Sequence, residues 1–281
     1  MRLCAFIVRG EYRRNVGLAK DVTTGKSGFA TFHDLAGASV FITGGGAGIG
    51  AALTAGFMSQ GANVAFVQRS ECDVFIAEMQ EKFGRVPHFM QCDIVDIDAL
   101  LVCMETARQV HGPITVLVNN AANDSRHALK DYDPDQWDAA LNVNLRPHFF
   151  SIQAIAESMK KAGGGSIINF SSISYMMGRD GYPAYLASKA GITGLTRGLA
   201  RELGPDGIRV NALMPGWVLT NRQKELWVTK EGLAAHMDKQ CLKEHLVPQD
   251  IVDATLFLAS NTSRMMTGQA LVIDGGVVVT G

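Results

Sequence analysis

Tyr185 and Lys189 stand at i and i+4 in the segment Tyr182-Pro183-Ala184-Tyr185-Leu186-Ala187-Ser188-Lys189. On a helix that spacing puts both on one face. A free phenol titrates near ~10 and is a poor base at neutrality, but a neighbouring ammonium favours the phenolate. Such a pair can take the proton of an alcohol while a hydride departs to an acceptor; standing alone, it is also an ordinary surface pair. Ser172 lies 13 positions earlier, where the apolar run Ile167-Ile168-Asn169-Phe170 ends. Its hydroxyl can hold a substrate oxygen against Tyr185, or it can simply turn the chain. Asn142 and Asn144 interrupt the apolar face of the helical stretch before that run. Buried amides need partners, which either a local kink holding a water in a proton relay or a satisfied structural amide would provide.

A departing hydride needs an acceptor. Thr43-Gly44-Gly45-Gly46-Ala47-Gly48-Ile49-Gly50 follows one apolar run and opens a helical pattern. Glycines let backbone approach a pyrophosphate closely, and a helix N-terminus adds a positive field; without that context the cluster would be only a tight turn. Gly44, Gly46, Ala47, Gly48, Ile49 and Gly50 are therefore expected to hold a dinucleotide, NAD or NADP, with Lys189 able to reach its ribose. At the end of the next apolar run stand Gln68 and Arg69. An acid there would bond the ribose 2′-hydroxyl of NAD, whereas a guanidinium can pair with a 2′-phosphate. The pair tilts the expectation toward NADP or dual use; the plain alternative is a solvated Arg69.

These residues must be positioned by alternating strands and helices. Strands are expected at Ser39–Thr43, Asn63–Gln68, His88–Gln91, 115–119, 166–170, 209–213 and 271–273, and helices at 49–60, Asp73–Phe83, 97–110, 134–161 and 184–203. Near-continuous apolar strands mean burial on both faces. The order predicts an α/β doubly wound parallel sheet of the Rossmann type in a single domain, with ligands beyond the carboxyl ends of the strands. The polar, helical residues 221–244 would lie over those ends as a lid.

Bulk properties narrow the classes. Of 281 residues 47% are hydrophobic, and 26 basic against 27 acidic residues leave a net charge of -1, so neither disorder nor nucleic-acid binding is expected. Five scattered cysteines and seven histidines without an HExxH pattern predict no metal, no disulfide framework and a reducing, cytoplasmic setting. No apolar run approaches the ~18 residues of a membrane span. Residues 1–32, with six basic residues in Arg2, Arg9, Arg13, Arg14, Lys20 and Lys26, read as an ancillary or poorly ordered extension. Thr24-Gly25-Lys26-Ser27 within it lacks the upstream glycine and strand of a phosphate loop. The catalytic domain is expected over 33–281.

Together these residues resemble the short-chain dehydrogenase/reductase family over about 35–276. Thr43 to Gly50 is similar to its TGxxxGxG turn, Asn119-Asn120-Ala121-Ala122 to its NNAG motif with Ala122 for the glycine, and Ser172, Tyr185 and Lys189 to its Ser and YxxxK. The resemblance implies catalytic roles for Asn144, Ser172, Tyr185 and Lys189. It implies cofactor contacts from Asp93 and Ile94, from Asn120 and Ala121, and from Pro215, Gly216, Val218 and Thr220 of a PG motif at the nicotinamide end. It also implies a homo-oligomer, a dimer or a tetramer. Asn123-Asp124-Ser125-Arg126-His127 further resembles the NDDRH stretch of bacterial aldose 1-dehydrogenases of the D-xylose type, which oxidise an anomeric hydroxyl to a lactone. That implies a sugar substrate met by Asp124, Arg126, His127, Ser174 and Trp217, residues that could equally form a structural loop network. The rival expectations are a reductase of a 3-oxoacyl or other carbonyl compound and a nucleotide-sensing module without catalysis.

Overall fold

The structure, a computed structural model, describes residues 30–279. The proposed extension therefore falls largely outside the described residues, as does Thr24-Gly25-Lys26-Ser27. Residues 30–32 run along the end of the first helix, where the Phe32 N–H donates to Gln60 Oε1 at 2.8 Å.

The strands are β1 (Ser39–Thr43), β2 (Asn63–Gln68), β3 (His88–Gln91), β4 (Val116–Asn119), β5 (Gly165–Phe170), β6 (Ile208–Pro215) and β7 (Ala270–Ile273). All pair in parallel, in the order β3-β2-β1-β4-β5-β6-β7. Helices α1 (Gly48–Ser59), α2 (Asp73–Phe83), α3 (Ile97–His111), α4 (Pro134–Asn144), α5 (Arg146–Lys161), α6 (Pro183–Leu203), α7 (Asn221–Leu226), α8 (Lys230–Lys239) and α9 (Gln249–Ala259) complete the fold. This is the expected doubly wound sheet. Its strands alternate between two cores: Val40, Ile42, Phe66 and Val118 pack with α1 and α9, while Phe41, Val67, Leu117 and Ile167 pack with α3, α5 and α6. Burial on both faces is what made the strands read as unbroken apolar runs.

The chain reverses direction across the sheet between β1 and β4, and a ligand crevice forms at such a switch point. Register aligns its floor. Thr43 pairs with Asn119, and Asn119 with Asn169. The glycine turn, Asn120 and Ser171-Ser172 consequently leave the sheet side by side.

One expectation needs correction, and the structure adds detail to two further stretches. The single helix over 134–161 is two helices broken at Leu145 (φ −127°, ψ −50°). Pro147 has no N–H for the carbonyl four residues back, which ends the ladder there. The lid segment is two short helices, α7 and α8, each started by a threonine cap, Thr220 and Thr229. Helix α9, unanticipated, covers one face of the sheet.

Candidate active site

The crevice is stitched from three strand ends. Thr43 Oγ1 accepts the Asn120 and Ala121 N–H groups at 3.0 and 3.1 Å, and Asn120 Nδ2 donates to the carbonyls of Thr43 (3.0 Å) and Gly44 (3.2 Å). Glycine is required in the turn for two reasons. Gly44 and Gly48 have φ of 71° and 54°, which L side chains rarely adopt. A Cβ on Gly50 would lie 1.8 Å from the Gly44 carbonyl oxygen. The N-cap Ala47 offers no side-chain acceptor, so the first-turn amides of α1 are free for an anion. Beside the turn, a cavity of about 260 Å³ is lined by Gly44, Gln68, Arg69, Asp93, Ile94 and Arg222 among others. The arginine and amide donors of its lining suit the phosphates of a dinucleotide.

Gln68 does something the sequence did not suggest. Its Oε1 accepts the Gly46 N–H at 3.0 Å, so it braces the glycine turn while lining the cavity. Arg69 is 84% exposed, and its guanidinium lies 4.0 Å from Asp93. Asp93 also accepts the Val95 N–H at 3.1 Å. From the far wall comes the loop after β6. The Gly216 N–H donates to Ile273 at 2.8 Å, the Val218 N–H to Gly216 at 3.1 Å and the Thr220 N–H to Val218 at 3.0 Å. The Thr220 methyl lies 3.2 Å from where a Cβ on Gly48 would stand, so Pro215 to Thr220 roof the start of α1.

Tyr185 and Asn144 line a neighbouring cavity that shares Asn123, Ser125 and Val143 with this one, and Ser172 and Lys189 stand by Tyr185. Ser172 Oγ lies 2.7 Å from Ser174 Oγ and accepts the Ser174 N–H at 3.1 Å. Burial pushes the Tyr185 phenol above its ordinary range, and the Asp124 carboxylate pushes it further; a hydrogen bond from Ser172 opposes both, and more weakly so does the Arg126 charge. The expected lowering by Lys189 is not found. Lys189 is 1% exposed, burial brings its ammonium down to about 7, and its Nζ donates to the Phe170 carbonyl at 2.7 Å while lying 5.5 Å from the Tyr185 ring centre. Burial thus works against the ammonium form that would lower the phenol. Asn144 sits at the helix break. Its Nδ2 donates to the carbonyls of Asn123 (2.9 Å) and Ala140 (3.0 Å), and its Oδ1 accepts the Asn123 N–H at 2.8 Å. It thereby ties the break to the loop beside Tyr185.

The five residues read as sugar contacts divide. Asp124 is the hub of a network: Gln223 Nε2 donates to it at 2.8 Å, with Arg222 and Arg126 at 3.8 and 3.9 Å. Arg126 lies 3.7 Å from the Tyr182 ring centre and 5.0 Å from that of Trp227, and Tyr182 stacks on Tyr185. Trp217 joins through Gln223, donating to its Oε1 at 3.0 Å. Ser174 is bonded to Ser172 and faces the same space. His127 is different. It accepts the Ala184 N–H on Nε2 at 3.4 Å, its own N–H donates to Gly181, and its ring stacks on Tyr132. It holds the start of α6, which carries Tyr185. Sequence reasoning missed Tyr182, Arg222, Gln223 and Trp227; their signal was adjacency to Tyr185 and Thr220. It also missed His148, 2% exposed with neither ring nitrogen hydrogen-bonded, held down to about 3 by burial and then by the Lys189 charge.

A family model described as enoyl-(acyl carrier protein) reductase matches residues 44–278. The chain belongs to the short-chain dehydrogenase/reductase family. It is therefore an oxidoreductase of the NAD(P)-dependent class. A protein of Rhizobium meliloti described as "Probable galactose dehydrogenase" is 49% identical over 88% of this chain and 97% of its own length. D-xylose 1-dehydrogenase of Caulobacter vibrioides is 46% identical over 88% and 98%. Among solved structures, a blue fluorescent protein from a metagenomic library in complex with NADPH superposes with a TM-score of 0.80 at 34% identity, covering 88% of this chain and all of that one. Among the described residues no helix is long and apolar enough to cross a membrane, and no group of three or more His, Cys, Asp or Glu could hold a metal.

Proposed function

We propose that this dehydrogenase oxidises the anomeric hydroxyl of an aldose to the lactone. The observation that carries the reading is the Asp124 network. A carboxylate, a stacked guanidinium, the Gln223 amide and two indoles converge beside Tyr185, as polyhydroxylated substrates require. The two sugar dehydrogenases described above, at 49% and 46% identity, support it. Bound in the crevice, NAD or NADP supplies the nicotinamide carbon that accepts the hydride. Glycines 44 to 50 hold the diphosphate, and Asp93 with Ile94 borders the adenosine end. Asn120, Ala121 and the loop from Pro215 to Thr220 flank the nicotinamide end.

Within the chain, Ser172 orients the C1 oxygen and Tyr185 takes its proton as the C1 hydrogen leaves with its electron pair. Asn144 fixes the loop that backs Tyr185 and keeps a proton path at the helix break. Lys189 would hold the ribose hydroxyls of a bound dinucleotide, and its ammonium form is the one that favours the Tyr185 phenolate. Arg69 supports use of NADP, or of both cofactors. The family resemblance supports a dimer or tetramer of this chain as its assembly.

Tyr185→Phe tests the assignment. Turnover of D-galactose or D-xylose should fall by about 10²–10⁴-fold, with NADPH binding, followed by fluorescence, unchanged. Substantial residual activity would remove Tyr185 as the base. The family model's description favours a second reading, reduction of an acyl or other carbonyl compound. A panel of aldoses and 3-oxoacyl thioesters followed at the nicotinamide absorbance separates the two.

A further inference from the structure

Arg222 enters the site so far only as a loose partner of Asp124 on the cavity wall, yet its place is specific. It follows Thr220 by two residues, and Thr220 roofs the first residue of α1. Arg222 therefore hangs over the glycine turn and lines the same cavity as Gly44, Gln68 and Asp93. Its side chain is 57% exposed and its guanidinium loosely held: Nη2 donates to Asn123 Oδ1 at 3.3 Å, and Nε stands 3.8 Å from Asp124 Oδ1. Five N–H donors in a planar fork are mostly unspent, and a diphosphate is the partner such a fork suits. The other cation lining the cavity, Arg69, is on the far side next to Asp93. Asp124 does not depend on Arg222, because Gln223 at 2.8 Å and Arg126 at 3.9 Å remain with it.

We propose that Arg222 is an exchange latch: it leaves Asn123 and Asp124 for the diphosphate of the bound dinucleotide, and so frees one edge of the Asp124 carboxylate for a substrate hydroxyl. The diphosphate half rests on the dinucleotide crevice. The hydroxyl half rests on the sugar reading of the same site. The exchange links the two ligands through one side chain, and linkage of this kind is reciprocal.

Direct binding tests it without turnover. Calorimetry with ADP and fluorescence titration with NADPH should show affinities about tenfold or more weaker in Arg222→Ala. Arg222→Lys should recover part of the loss, and AMP, which lacks the diphosphate, should bind all proteins within about twofold. Because Arg222 is exposed, thermal unfolding of both variants should match the parent. Unchanged ADP and NADPH affinity in Arg222→Ala overturns the proposal, as does an equal loss for AMP. In a second arm, D-galactose is titrated with and without saturating NADPH. NADPH should tighten sugar binding to the parent and not to Arg222→Ala. Equal tightening in both overturns the exchange. Absence of any sugar binding by the parent overturns the aldose reading, and the ADP arm then decides Arg222 alone.

Discussion

At the scale of single residues, the polar edge of β2 illustrates how a motif position can be read correctly and its side chain misplaced. The pair Gln68-Arg69 was expected to face a ribose as a unit. Gln68 spends its side-chain carbonyl on the half-buried Gly46 amide. That leaves Arg69 to decide between cofactors. Its guanidinium is almost fully exposed and only 4.0 Å from Asp93, an arrangement with little hold on it in high dielectric. A 2′-phosphate offers it a better partner. Arg69→Ala should therefore raise the KM for NADP by about tenfold while leaving that for NAD within about twofold. Steady-state kinetics with both cofactors at saturating sugar measure it, and an unchanged preference removes Arg69 as a determinant.

At the scale of elements, the strands were legible because burial on both faces writes itself as apolar runs, and the glycine turn because its context was a strand and a helix. Tyr185, Lys189 and Ser172 were legible by spacing from those elements. What was hidden is tertiary. Nothing local in Arg222-Gln223 says that α7 folds back onto Asp124, and nothing local in His127 says that it caps α6. The break at Leu145 was partly written in Pro147, yet the apolar pattern ran through it and won. Helix α9 was hidden for a related reason: its residues carry no motif. Its contact with α1 nevertheless sets the glycine turn, since α1 carries that turn at its start. A Cβ on Gly56 would stand 2.3 Å from Val252 Cγ1, and Val252 is fully buried and stiff at χ1. Gly56→Ala should then cost about 1–3 kcal/mol through overpacking, read from denaturant midpoints at constant slope. Adding Val252→Ala should return part of that loss. Wild-type stability in Gly56→Ala would show that α1 and α9 slide apart freely.

At the scale of the whole molecule, three histidines in separate places share one electrostatic condition. Burial lowers His111, between α3 and β3, with the nearby His88 adding to it. His236 on α8 is lowered by burial and then by Arg179, and His148 on α5 is lowered to about 3 by burial and then by Lys189. Each is neutral in the folded protein over a range where the unfolded chain would protonate it, below about 6.5. The unfolded state then binds more protons, so stability rises with pH across that range. Read downward, their contribution is fully present above about 6.5 and drains away as pH falls, for His148 until about 3. Melting temperature should thus decline steadily from pH 7 to pH 4. His148 gives the sharpest test, because it is almost fully buried and its protonation is held off down to about 3. In His148→Leu the decline between pH 6.5 and 4 should be shallower than in the parent, whatever the offset at pH 8. Parallel pH profiles for the two proteins would mean that His148 is charged, or accessible to water, in the native state.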